Sequence, residues 1–157
     1  MTGLSVEADL YKRYGSDLVR FATGLVGPAD AQDVVSDAMV GLCKSRRLLE
    51  AVNGRALMYR AVLASARSLQ RSSFRRRLRE ARTAQSVVTH DPEIRPDVAA
   101  AVIGLSRQQR ACIFLTYWED LSVADVADRL GIEEGSVKQH LFRARKRLRE
   151  VLGVRSG

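Results

Sequence analysis

The stretch Val123–Arg143, VADVADRLGIEEGSVKQHLFR, decides the fold. Val123, Val126, Ala127 and Leu130 fall on one face of a first helix. Val137, Leu141, Ala144 and Leu148 recur at helical spacing in a second helix that begins near Glu134. Between them Gly131 can take the positive φ of a tight turn, Ala127 is small enough for the helices to cross closely, and Ile132 and Val137 fill the wedge. Helix, glycine turn, helix at this spacing predicts a helix-turn-helix. Just upstream, Ser106 followed by Gln109 and Ser122 followed by Asp125 are helix-capping patterns. The first of them predicts a helix from about Arg107 whose apolar face is Ala111, Cys112, Leu115 and Trp118.

With its apolar residues turned inward, the second helix of the pair presents Ser136, Lys138, Gln139, His140, Arg143 and Arg147 to solvent. These residue types suit a recognition helix: near its amino end glutamine pairs with adenine and lysine or arginine with guanine, while arginines further along reach phosphates. Arg143, Arg145, Lys146, Arg147 and Arg149 have only Glu150 nearby to offset them, which sets this helix apart from an ordinary solvated face.

Towards the amino terminus, Leu10, Tyr14, Leu18, Phe21 and Leu25 define one amphipathic helix, which Gly27-Pro28 stops. Ala31, Val34, Val35, Ala38 and Leu42 define a second, whose outer side carries Asp33, Ser36 and Asp37. After Asn53-Gly54 an alanine-rich third helix runs into Arg67, Arg71, Arg75, Arg76, Arg77, Arg79 and Arg82 and becomes an electropositive rod. Thr83 to Asp97 holds two of the three prolines and no helical period, so it reads as a linker. The expected architecture is all-α, with two small helical domains at 1–82 and 98–152 joined by residues 83–97.

The charge distribution agrees with a polyanionic partner. Of 26 basic and 18 acidic residues, 14 and 8 fall in residues 1–80 and 10 and 7 in residues 99–157, so two basic blocks flank a nearly neutral connector. Nucleic acid is the first such partner and an anionic membrane the second. Cys43 and Cys112 have neither CxxC spacing nor a nearby histidine, so they read as small reduced core residues, with no metal site or disulfide framework implied. No apolar run approaches the ~20 residues of a membrane span, and no leader is evident, which predicts a soluble cytoplasmic protein. No nucleophile, base, metal cluster or glycine-rich phosphate loop supports catalysis, and no cofactor is implied.

Taken together, these segments resemble the extracytoplasmic-function class, group IV, of the sigma-70 family of bacterial RNA polymerase sigma factors, in its actinobacterial form. The likeness covers nearly the whole chain. LYKRYGSDLVRFATGLVGPADAQDVVSDAMVGL is similar to the first half of the family's region 2, NGRALMYRAVLASARSLQRSSFRRR to its second half, and LSRQQRACIFLTYWEDLSVADVADRLGIEEGSVKQHLFRARKRLREVL to region 4. The resemblance implies that Asp33, Ser36 and Asp37 dock on the β′ clamp helices of core polymerase. It likewise implies that Arg60, Ser65, Arg67, Arg71, Arg75 and Arg76 open and read the minus-10 element. Region 4 would read minus-35 and touch the β-flap tip, and an anti-sigma factor is an expected further partner.

Region 2 departs from the family pattern. Ser36 stands where glutamine is usual and Cys43 where tryptophan commonly closes the docking helix, which predicts altered core affinity. Leu63-Ala64-Ser65-Ala66-Arg67-Ser68 lacks the family's usual asparagine and aspartate, which predicts a changed minus-10 preference or melting activity. Two alternatives stay open on the residues alone. One is a sigma-like partner or antagonist that binds core polymerase or DNA without initiating; the other is a protein-interaction module whose region 4 docks an adaptor.

Overall fold

A computed structural model describes residues 3–80, 101–102 and 104–153; within it, the side chains of residues 3–5 and 70–80 are not described. Six α-helices make up the described chain: α1 (Gly3–Val26), α2 (Pro28–Ser45), α3 (Gly54–Glu80), α4 (Arg107–Ile113), α5 (Val123–Leu130) and α6 (Glu134–Leu152). A 3₁₀ turn at Arg47–Leu49 and a π-helical turn at Phe114–Trp118 complete it, and no strand occurs among the described residues.

The first three helices form a bundle around the stripes read from sequence. Leu18, Phe21, Ala22 and Leu25 of α1, Ala31, Val34, Val35, Ala38 and Leu42 of α2, and Met58, Tyr59, Val62 and Ala66 of α3 are buried together. Gly27 ends α1 and begins α2 at once: it sits at φ 90, donates its N–H to the Thr23 carbonyl at 2.9 Å, and is followed by Pro28 in the first turn of α2. Proline is tolerated there because that N–H has no helical partner to lose. Arg46 closes α2 in the left-handed region, and the 3₁₀ turn after it brings Leu48 into the core. The Asn53 side chain then accepts the Ala56 N–H at 3.0 Å and caps α3.

In the second half the capping patterns form as read. Ser106 accepts from the Gln109 N–H, the Gln109 side chain accepts from the Ser106 N–H, and α4 begins at Arg107. Ser122 accepts from the Asp125 N–H at 3.1 Å and starts α5. Gly131 takes φ 65 and turns the chain into α6. Val126, Ala127 and Leu130 of α5 meet Val137, Leu141 and Ala144 of α6, with Ile132 half-buried beside them. Leu148 and Val123 are also only half-buried.

One expected core residue lies elsewhere. Trp118 is 56% exposed, not buried on the apolar face of α4. The last turn after Ile113 widens to π geometry, with Glu119 N–H bonded to the Phe114 carbonyl, and the wider turn shifts the phase of every residue beyond it. Trp118 therefore stacks on Phe114, with ring centroids 6.2 Å apart and planes 10° from parallel. Cys112 is buried, and that burial pushes its thiol up to about 12, whereas Cys43 is half-buried; both are free.

This packing sets two expectations for urea denaturation. Leu141→Ala removes a side chain locked between α5 and α6 and lowers unfolding free energy by about 2–5 kcal/mol. Ser106→Ala loses one arm of the capping box and costs about 1 kcal/mol.

Candidate nucleic-acid interface

The geometry of α6 follows from its buried stripe. Val137, Leu141 and Ala144 pack against α4 and α5, so the opposite side faces water. Lys138, Gln139, Arg143 and Arg147 are exposed there, and Ser136 and His140 half-buried at its edges. All six expected recognition residues thus share one helix, and none of its lysines or arginines forms an ion pair among the described residues. Unpaired cations on one face, held by a rigid helix, are what a phosphate backbone neutralises. Arg145 is engaged differently: its Nε donates to the Tyr117 hydroxyl at 2.7 Å and its guanidinium lies 5.6 Å from that ring's centroid. Burial, and then the neighbouring Arg143 charge, hold His140 below the usual imidazole range, so it is neutral at pH 7.

The expected core-binding residues Asp33, Ser36 and Asp37 are exposed on one side of α2, one turn apart. Residues expected at minus-10 are divided. Arg60 and Arg67 are exposed on α3, seven residues and so two turns apart on one stripe. Ser65 is turned towards α2, where its hydroxyl donates to Asp37 Oδ2 at 2.8 Å. The hydrogen bond joins a residue expected to face promoter DNA to one expected to face the polymerase. The side chains of Arg71, Arg75 and Arg76, with Phe74 among them, lie outside the described residues, although the backbone of α3 is helical through all four. The linker read at 83–97 also lies outside them.

Several residues of consequence carry no signal in the sequence. Arg110 is 5% exposed and donates to the carbonyls of Leu25 and Leu105. Arg129 lies over the buried Tyr59, 5.3 Å from the ring centroid, and donates to its hydroxyl at 3.3 Å. Burial raises the Tyr59 phenol, and the Arg129 charge partly offsets this. In sequence Arg110 and Arg129 are two more members of a basic excess; only long-range packing separates them from the cations of α6. Among the described residues no group of histidine, cysteine and carboxylate side chains is placed to hold a metal ion. No described helix is long and apolar enough to cross a membrane.

Residues 10–82 match sigma-70 region 2, and residues 97–148 match sigma-70 region 4. An RNA polymerase sigma-E factor of Streptomyces avermitilis is 33% identical over 164 aligned residues, covering 98% of this chain and 89% of the relative. The ECF RNA polymerase sigma factor SigM of Mycobacterium tuberculosis is 41% identical over 56 residues, covering 36% of this chain and 29% of the relative. Among solved structures, the sigma factor RpoE of Bartonella quintana, crystallised with the anti-sigma factor NepR, superposes with a TM-score of 0.57. It is 27% identical, and the match covers 93% of this chain and 98% of that one. The chain belongs to the sigma-70 family, in its extracytoplasmic-function class, and is a sigma factor that directs RNA polymerase to promoters.

Proposed function

We propose that the two promoter elements and the core enzyme are met by three separate surfaces of this chain. The exposed face of α6 reads minus-35, with Lys138 and Gln139 towards base edges and Arg143 and Arg147 on phosphates; Ser136 and His140 border it. The exposed Arg60 and Arg67 of α3 engage minus-10 together with Arg71, Arg75 and Arg76 further along the helix, with Ser65 beside them. Asp33, Ser36 and Asp37 dock on the β′ clamp helices, and the second half also meets the β-flap tip. The observation that carries this reading is the set of unpaired cations on α6 directly opposite its buried Val137–Leu141–Ala144 stripe.

Residues 1–82 and 98–152 act as two domains joined by 83–97, which lets the DNA-reading surfaces serve separate elements. The protein has no chemistry of its own; phosphodiester formation belongs to the polymerase, and the sigma factor supplies binding energy for position and strand separation. It works in the cytoplasm, where its polymerase and promoter DNA are. An anti-sigma factor is its further partner, a reading supported by the relative crystallised with one.

Run-off transcription from fragmented host genomic DNA, with core polymerase and the chain, yields new transcripts whose upstream sequences define the promoter. On that promoter Lys138→Ala weakens binding by about 1–3 kcal/mol and relaxes sequence preference. Arg143→Ala weakens all sequences alike and lowers the salt slope by about 1. Both variants keep normal core association; promoter binding unchanged in both would show that the phase of α6 has been misassigned.

A pH series gives an independent check on His140. Its pKa is lowered in the free protein, so phosphate nearby favours proton uptake on binding, and promoter affinity rises as pH falls from about 7.5 to 6. His140→Gln flattens that part of the profile. Without DNA the sign reverses: the unfolded state takes the proton first, so the histidine's contribution to stability is present above the unfolded value and declines as pH falls through its lowered native value.

A further inference from the structure

Arg145 differs from the other exposed cations of α6 in being held. Its Nε donates to the Tyr117 hydroxyl oxygen at 2.7 Å, and its guanidinium lies over that ring, 5.6 Å from the centroid. Both side chains stand on the surface: Arg145 is exposed, and Tyr117, which belongs to the π turn at Phe114–Trp118, is 55% exposed. The hydrogen bond uses only Nε. The terminal nitrogens Nη1 and Nη2 have no partner among the described residues.

The nature of the holding group decides what the arginine can still do. Arg20 is steadied by Asp17 and Glu119, and Arg55 by Asp128, so in both cases a carboxylate cancels the charge it steadies. Tyr117 offers Arg145 a neutral oxygen and an aromatic face instead, which orient the guanidinium and leave its positive charge whole. A free arginine gives up rotamer freedom when it grips a ligand; this one has given up part of it beforehand. What remains is a planar pair of N–H-bearing nitrogens in a fixed place, a shape that suits two oxygens of a phosphate.

Helix geometry puts that pair where a phosphate is wanted. Arg145 follows Lys138 by seven residues, so the two share one flank of α6, ~10 Å apart along its axis. Arg143 and Arg147 are each two residues from Arg145 and leave the helix ~160° round from it, with Gln139 between the two flanks. An α-helix is about 10–12 Å across and the major groove about 12 Å wide, so a helix seated there has a sugar–phosphate backbone on either side. We propose that Tyr117 and Arg145 form a preset clamp for one backbone phosphate of the minus-35 duplex, across the groove from the backbone met by Arg143 and Arg147. Arg145 makes the contact and Tyr117 is a positioning residue. The clamp rests on the reading of α6 as the minus-35 helix.

Titration of the full chain against the minus-35 duplex of the promoter defined by run-off transcription, over a range of salt, tests the proposal. Arg145→Ala is expected to bind about tenfold more weakly, with base preference unchanged and the salt slope lowered by about 1. Tyr117→Phe keeps the ring and every charge, so its slope stays at the wild-type value while affinity falls about threefold. In an Arg145→Ala background the same loss of hydroxyl costs nothing further, because the tyrosine acts through the guanidinium. Arg145→Lys restores the slope and not the affinity, since an ammonium has neither the Nε nor the fork. Replacing the duplex phosphates one at a time by neutral methylphosphonates locates the contact: one position weakens the wild type and leaves Arg145→Ala unaffected. All variants keep the wild-type circular dichroism, both side chains being exposed.

An unchanged salt slope in Arg145→Ala, with Arg143→Ala weakened, overturns the clamp and leaves the reading of α6 standing; full binding by both overturns the two together. A Tyr117→Phe loss that persists in the Arg145→Ala background overturns the positioning role. Weakened core association by Arg145→Ala at full promoter affinity assigns the fork to a carboxylate of a protein and overturns the phosphate.

Discussion

A single guanidinium organises the join between the two halves of this protein. Removing Arg110 from water costs several kcal/mol unless its donors are met, and its two terminal nitrogens are met by carbonyls on both sides of the seam, Nη1 by Leu25 in α1 and Nη2 by Leu105 just before α4. Because α4 is fixed by its own capping box, Arg110 can reach α1 only if the whole helix-turn-helix half comes with it. Gly24 makes the approach possible, since any larger residue would hold the Phe114 ring away and leave the cation short of its acceptor. The relative placement of α5 and α6 against α3 follows from these two contacts.

The cations of the chain divide by burial into two kinds with opposite consequences. On α6, Lys138, Arg143 and Arg147 stand in water with no carboxylate partner among the described residues, so a polyanion gains their full attraction and releases its counterions. At the seam, Arg110 and Arg129 are committed to carbonyls, a phenol and an aromatic face. Those two add to net charge and long-range steering but offer no hydrogen bonds to DNA. The same residue type thus stands free on α6, where promoter recognition is proposed, and committed at the seam, and only the first kind is open to a partner.

The hydrogen bond from Ser65 to Asp37 gives the region 2 departures a physical setting. A carboxylate on the outer face of α2 is steadied by a hydroxyl from α3, so substitution at Ser65 in the third helix is felt at Asp37, on the side of the second proposed to face the polymerase. Cys43, half-buried near Glu7 in place of the family's common tryptophan, leaves the end of α2 without a large aromatic surface. On the docking proposed for α2, affinity for core would depend more on its carboxylates and less on apolar burial at its end.

Helix positions were legible in the sequence because they are set locally. Ser106 with Gln109, Ser122 with Asp125, Gly27-Pro28 and Gly131 each fix a boundary through backbone hydrogen bonds or allowed φ, and the apolar stripes name the buried faces of α1, α2, α5 and α6. The exposed face of α6 followed by subtraction. Tertiary structure alone decided the rest. Trp118 left the expected core because a π turn shifted its phase, Arg60 came to lie against the turn at Gly131, and Ser65 found Asp37. Arg110 became the keystone of a seam that no periodicity announces. Local signals report on residues a turn or two apart, whereas the Arg110–Leu25 contact spans 85 positions and exists only once both halves have folded.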